Sequence, residues 1–188
     1  MIFKPLFKPI SEEPPEQNAD KTVIAFVDSQ SIWDVPIRFY HRKVDYRRLR
    51  NFIANGRRLL EWNVSVIVDP LRDSDDFCSL LESLDCKIHL KSFYKFSTDG
   101  QMKNYFSSFK SPWTQSIVSS ARECRHADII SIVGTDIAYL DLIKEFQEEG
   151  REIELICWPE DLDERSRPFA THLRPMDPSL LLNEQKTR

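Results

Sequence analysis

The sequence predicts an α/β protein: a three-layer α/β/α sandwich around a mostly parallel sheet of five strands. Three observations carry this. From residue 22 onward, short apolar runs alternate with longer stretches of helical period, the spacing of crossover units in a parallel sheet. The helical stretches are apolar on one face only. Two of the apolar runs end on aspartate: Thr22 to Val27 runs into Asp28, and Asp128 to Val133 runs through Gly134 and Thr135 into Asp136. In open α/β sheets the carboxyl ends of the strands face the ligand crevice.

Taken in order, strands are expected at 22–27, 64–69, 87–93, 128–133 and 152–157. The first helix is expected over 45–62. Asp45 is its N-cap, Tyr46, Leu49, Phe52, Ile53, Leu59 and Leu60 form its inner face, and Arg47, Arg50, Arg57 and Arg58 its outer face. A second helix over 74–84 follows the acidic cap Asp73 to Asp76, with Phe77, Leu80, Leu81 and Leu84 inward. A third starts at Ser111-Pro112, where proline suits the first helical position, and runs to about His126. A fourth, 137–149, stops at Gly150, a residue suited to a left-handed cap. The segment from Lys95 to Lys110 is long for a connection in such a fold, and long loops are often functional.

Residues 1–21 read as an extended tail and linker, with Pro5, Pro9, Pro14, Pro15 and a doubled Phe-Lys-Pro. Phe3, Leu6 and Phe7 within it are candidates for docking onto a partner or onto the domain itself. The domain proper is expected over 22–176, and 177–188 as a C-terminal tail.

Composition bounds the function. With 41% hydrophobic and 30% charged residues and a net charge of -4, the 188-residue chain is of the soluble globular class. Its charge is uneven: residues 38–58 hold Arg38, Arg42, Lys43, Arg47, Arg48, Arg50, Arg57 and Arg58 against one acid, Asp45, whereas 141–165 is predominantly acidic. Cys78, Cys86, Cys124 and Cys157 are far apart and lack a C-x-x-C, which argues against a zinc site or a disulfide framework and for free thiols in a reducing compartment. No apolar run reaches membrane-span length. An intracellular protein, cytoplasmic or nuclear, is therefore expected.

Gly56, Gly100, Gly134 and Gly150 are the only glycines and form no phosphate-binding loop, so no nucleotide cofactor is expected. No Ser or Cys nucleophile motif is present, and the histidines lack ligand spacing. The aspartates remain. Each also has a plain structural reading, Asp28 as the cap of the turn after the first strand and Asp136 as the N-cap of the fourth helix.

These residues resemble a family. The strand ending in Asp28, followed by Ser29-Gln30-Ser31, resembles the opening "strand, D-x-x-N" of NYN domains, a branch of the PIN-like ribonuclease superfamily. Ile129 to Ile143 resembles that family's "strand, S-G-D-x-D-F, x-x-L-I" element, with Gly134, Asp136, Tyr139, Leu142 and Ile143 in approximate register. Lys110 to Ser120 resembles its helix that begins after a lysine and carries aspartates, and Ile153 to Leu173 its last strand with the turn and helix that follow. A flavodoxin-like or receiver-like fold is the alternative. A receiver would need an aspartate after its third strand, where this chain has Lys91-Ser92-Phe93.

The resemblance implies a metal site of about four carboxylates holding Mg²⁺ or Mn²⁺ against RNA. Asp28 and Asp136 match it. Ser31 stands at the family asparagine, Thr135 at the first aspartate after the glycine, and Thr114 and Ser120 where the helix would offer aspartates. The expectation is a catalytically degenerate NYN domain acting in RNA metabolism or RNA silencing as a protein-interaction or dimerisation module that also contacts RNA. The alternative is an active endoribonuclease using Asp28, Asp136 and the metal on single-stranded RNA. Arg47, Arg50, Arg57, Arg58, Lys95, Lys103 and Lys110 are the candidate RNA contacts, and Tyr94, Tyr105, Phe106 and Trp113 the candidate interface with a protein partner or second copy. Asp69 and Asp141 are further carboxylates near the strand ends.

Overall fold

Which strand lies beside which decides where a site can form. The computed structural model describes residues 20–68, 75–92, 97–98, 101–102, 119–124, 126–134, 140–162 and 167–183. In chain order these form β1 (Thr22–Asp28), α1 (Tyr46–Ala54), β2 (Arg58–Val68), α2 (Asp75–Glu82), β3 (Lys87–Ser92), β4 (Ser97–Thr98), β5 (Gln101–Met102), β6 (Ile129–Val133), α3 (Leu140–Glu148), β7 (Glu152–Cys157) and β8 (His172–Pro175). Six strands make one sheet in the order β3-β2-β1-β6-β7-β8, every neighbouring pair parallel, while β4 and β5 form a separate antiparallel ribbon. The chain is thus α/β, with one more strand in the main sheet than expected. Among the described residues β8 pairs with β7 alone, through Glu154 to Cys157.

Successive residues of each strand serve opposite layers. Val23, Ala25 and Val27 of β1 join Trp62 and Val64 of β2 under Leu49 and Ile53 of α1 and Leu81 of α2. Ile24 and Phe26 face the other way, onto Ala121, Ile143 and Phe146. Both faces of β1 and β6 are buried, as parallel sheets require.

Three expectations are corrected. The first helix does not reach residue 62: Asn55 (φ 47°) and Gly56 (φ +77°) take left-handed conformations after Ala54 and turn the chain into β2 at Arg58. Leu59 and Leu60 are therefore strand residues. Nor do residues 177–183, expected as part of a C-terminal tail, stand apart from the domain. Asp177 caps a 3-10 turn at Pro178–Leu180, Leu180 and Leu181 are buried in the α1 layer, and Val44 bridges Leu181. Leu80, expected inward on the second helix, is exposed. The order also excludes the flavodoxin-like alternative, whose strands run 2-1-3-4-5.

Candidate functional site at the carboxyl end of the sheet

The chain leaves β1 towards β2 on one side and reaches β6 on the other, so the point where the strand order reverses lies at the carboxyl ends of β1 and β6. Ligands of open α/β sheets bind at such a point. Asp28 occupies it.

Asp28 is the last residue of β1, opposite Ser65 of β2, and is 4% exposed. Its Oδ1 accepts from Gln30 N–H at 3.2 Å and from Ser65 Oγ at 3.1 Å, and its Oδ2 accepts from Ser31 Oγ at 3.1 Å. Three donors thus meet a group with about four acceptor positions. The Gln30 bond closes an Asx turn, and Ile32 N–H donates to the Asp28 carbonyl at 3.3 Å, so the carboxylate fixes the path of the chain leaving the strand. Ser29 ties the same turn to β2 through Oγ to the Ser65 carbonyl at 2.5 Å.

Gly134 closes the other side. Its φ is +122°, and a Cβ there would lie 2.9 Å from Ser31 Cβ and 3.3 Å from Asp28 Cβ. Only glycine lets the end of β6 come so near the Asp28 turn. Beneath lies Tyr46, whose phenol is pushed up by burial and then by the Asp28 charge.

The polar character continues down one face of β2 and β3. Asn63 is fully buried, its Oδ1 2.7 Å from His89 Nε2 and accepting from Ser120 Oγ at 3.3 Å, while its Nδ2 donates to Glu61 Oε1 at 2.8 Å. Lys87 Nζ donates to Ser120 Oγ at 3.4 Å and to Glu61 Oε2 at 3.3 Å. Burial, then the Lys87 charge, holds the His89 imidazole below its ordinary value, so the ring is neutral near neutral pH and its Nε2 is engaged by the amide. Ser65 and Asn63 stand two residues apart on one strand face, a step of about 7 Å. Ser120 therefore meets Asn63 and not Asp28.

Sequence reading missed Asn63, Ser65 and His89. Their signal was present: Trp62-Asn63-Val64-Ser65-Val66 alternates polar and apolar in a strand that a parallel sheet would bury on both faces.

The expected site residues are only partly assembled. Asp28 stands at the switch point with Ser31. Asp136, Thr135, Thr114 and Asp69 lie outside the described residues, as do Lys95, Lys103, Lys110, Tyr94, Tyr105, Phe106 and Trp113. Arg47 and Arg58 are exposed, whereas Arg50 is half-buried, with Nε enclosed and without a partner.

Arg57 is corrected. It lies beyond α1, its side chain is fully buried, and its guanidinium binds Glu154 at 2.9 Å and the Ile53 and Ala54 carbonyls at 2.9 and 3.1 Å. Arg174 holds the other Glu154 oxygen at 2.9 Å and the Phe52 carbonyl at 2.5 Å, and Ser131 Oγ donates to Glu154 at 2.5 Å. Two guanidiniums against one carboxylate leave a net positive charge, which the carbonyls at the negative end of α1 offset. That network staples α1 to the sheet and keeps Arg57 from any phosphate.

The described residues do not fit a multi-carboxylate metal centre. No group of three His, Cys, Asp or Glu side chains among them is placed to hold an ion. Among the described residues, moreover, the donors to the Asp28 oxygens are hydroxyl and amide groups. A hard cation seeks several anionic or carbonyl oxygens, and a serine hydroxyl pointing its proton at the carboxylate competes for the same lone pairs.

No family model matches this chain, and no curated protein does. Among solved structures it is similar to a protein of unknown function from Vibrio parahaemolyticus RIMD 2210633, with a TM-score of 0.69 and 17% identity over 88% of this chain and 98% of that one. At that identity the likeness shows the fold alone. Among the described residues no helix is long and apolar enough to cross a membrane.

Proposed function

We propose that the chain is a PIN-like domain of the NYN branch whose metal-dependent chemistry has been replaced by a hydrogen-bonded anchor, and that it serves RNA metabolism or RNA silencing as a non-catalytic module contacting RNA and protein partners, a second copy included. The observation that carries this reading is the Asp28 carboxylate: it sits at the switch point, yet both of its oxygens already accept hydrogen bonds, from Gln30, Ser31 and Ser65. A carboxylate used this way stabilises a turn. Ser120, at a position where the resemblance would put an acid, serves Asn63 and Lys87 instead.

The test is incubation of the purified chain with labelled single-stranded RNA and Mn²⁺ or Mg²⁺, beside Asp28→Asn. The proposal expects intact RNA with both proteins. Cleavage by the natural chain that the variant lacks would establish the endoribonuclease reading, in which Asp28 and Asp136 hold the ion.

A further inference from the structure

The chain leaving Asp28 carries exposed aromatic side chains that the switch point does not use. Ile32, Val35 and Pro36 are buried, and Trp158 Nε1 donates to the Ile32 carbonyl at 3.1 Å. A π-helical turn at Pro36–Tyr40 closes on left-handed His41, and Tyr40 packs on Trp158 at 5.9 Å between centroids. Beside these buried residues Trp33 is 47% and Phe39 54% exposed. π-helical turns are rare and frequent at functional positions, and Trp, Phe and Arg are enriched where proteins make contact.

The surrounding charge selects the occupant. Arg38 is already paired with Asp34 and lies over the Phe39 ring. Glu160 joins the patch through the Tyr40 hydroxyl at 3.4 Å, and Asp161 faces Asp34 closely enough that, after burial, the Asp34 charge raises its carboxyl. Asp34, Glu160 and Asp161 against Arg38 leave an acidic rim. Such a rim repels phosphate and favours an apolar segment flanked by cations.

The N-terminal segment of this chain has that chemistry. Residues 2–10 read Ile-Phe-Lys-Pro-Leu-Phe-Lys-Pro-Ile, with Lys4 and Lys8 and no acid before Glu12. We infer that Phe3 and Phe7 of the same chain dock on Trp33 and Phe39, with Lys4 and Lys8 against Asp34 and Glu160. Reach permits it: residues 10 to 21 extend to about 36 Å, while β1 rises about 23 Å from its amino to its carboxyl end. The remainder rounds a layer about 10 Å thick. Tethering raises the local concentration of the segment above that of a second copy. This docking goes beyond the proposed RNA role and does not depend on it.

The test couples amines to carboxylates with a zero-length carbodiimide in the full chain, using an equal mixture of unlabelled and ¹⁵N-labelled protein. Lys4 or Lys8 joined to Asp34 or Glu160 is expected within single-isotope peptides, with loss of the product in the Phe3→Ala/Phe7→Ala double variant. Pairs mixed between isotopes at the random frequency would put a second copy on the patch and overturn the intrachain contact. Absence of coupling, or coupling undiminished in the double variant, would overturn the docking altogether.

Discussion

Ser65 Oγ donates to Asp28 Oδ1 at 3.1 Å, across adjacent parallel strands whose Cα atoms are register partners. With Ser31 and Gln30 on the other side, the carboxylate holds three donors, of which Ser65 is buried and Gln30 and Ser31 are half-buried. Asp28→Ala should therefore cost about 1–3 kcal/mol in urea unfolding, the penalty of a stranded buried donor. Ser65→Ala should cost less, because it removes one donor and leaves the acceptor two others.

Gly134 should be the least replaceable glycine among the described residues. Gly56 and Gly150 also have positive φ, but a Cβ at either meets nothing within 4 Å. Their alanine variants should lose about 1 kcal/mol from backbone strain alone. Gly134→Ala adds a clash with Ser31 and Asp28 and should lose about 3 kcal/mol. Equal unfolding midpoints for the three variants would refute the close approach of β6 to the Asp28 turn.

The Glu154 network should behave as core. Glu154→Gln leaves two enclosed guanidiniums without their counter-charge and should destabilise by about 3–5 kcal/mol. Arg47→Ala, at an exposed helix position, should move stability by less than about 0.5 kcal/mol. In RNA-binding titrations it is Arg47, not Arg57, whose removal should lower the salt slope, by about one.

Acid should weaken the fold before its carboxylates titrate. His89 has a folded-state pKa below its ordinary 6.5, from burial and then Lys87, so the unfolded chain binds its proton first. Stability from the neutral imidazole is complete above pH 6.5 and is lost as pH falls from there towards the lower folded value. Asp128, held below its ordinary 3.8 by the Thr22 N–H and hydroxyl, adds a second loss at lower pH with the same sign. Urea midpoints between neutral pH and about pH 5 should fall for the natural chain and flatten in His89→Gln.

Thiol chemistry gives a further check. Burial pushes Cys86 and Cys157 up to about 12. Both should resist alkylation in the native protein at neutral pH and react once it is unfolded, because the thiolate is the nucleophile.

Much of the fold was legible because strand and helix periods differ and burial acts on residues close in sequence. The end of α1 was misread because Leu59 and Leu60 extend its helical spacing, although Asn55-Gly56 is itself a turn signal and takes left-handed backbone. β8 was missed because its four residues become a strand only through pairing with β7. Arg57 looked like part of a solvated face, since its partner Glu154 is 97 residues away. Asp28 was found by its place at a strand end, but whether it is a ligand or an anchor depends on Ser65, 37 residues on.

The most direct test of that anchor is the urea midpoint of the natural chain titrated with Mn²⁺. A carboxylate occupied by hydroxyl and amide donors predicts a midpoint that does not move. An ion bound at a hundred times its dissociation constant would add about 2.7 kcal/mol, and a rise of that kind that Asp28→Asn abolishes would contradict the account.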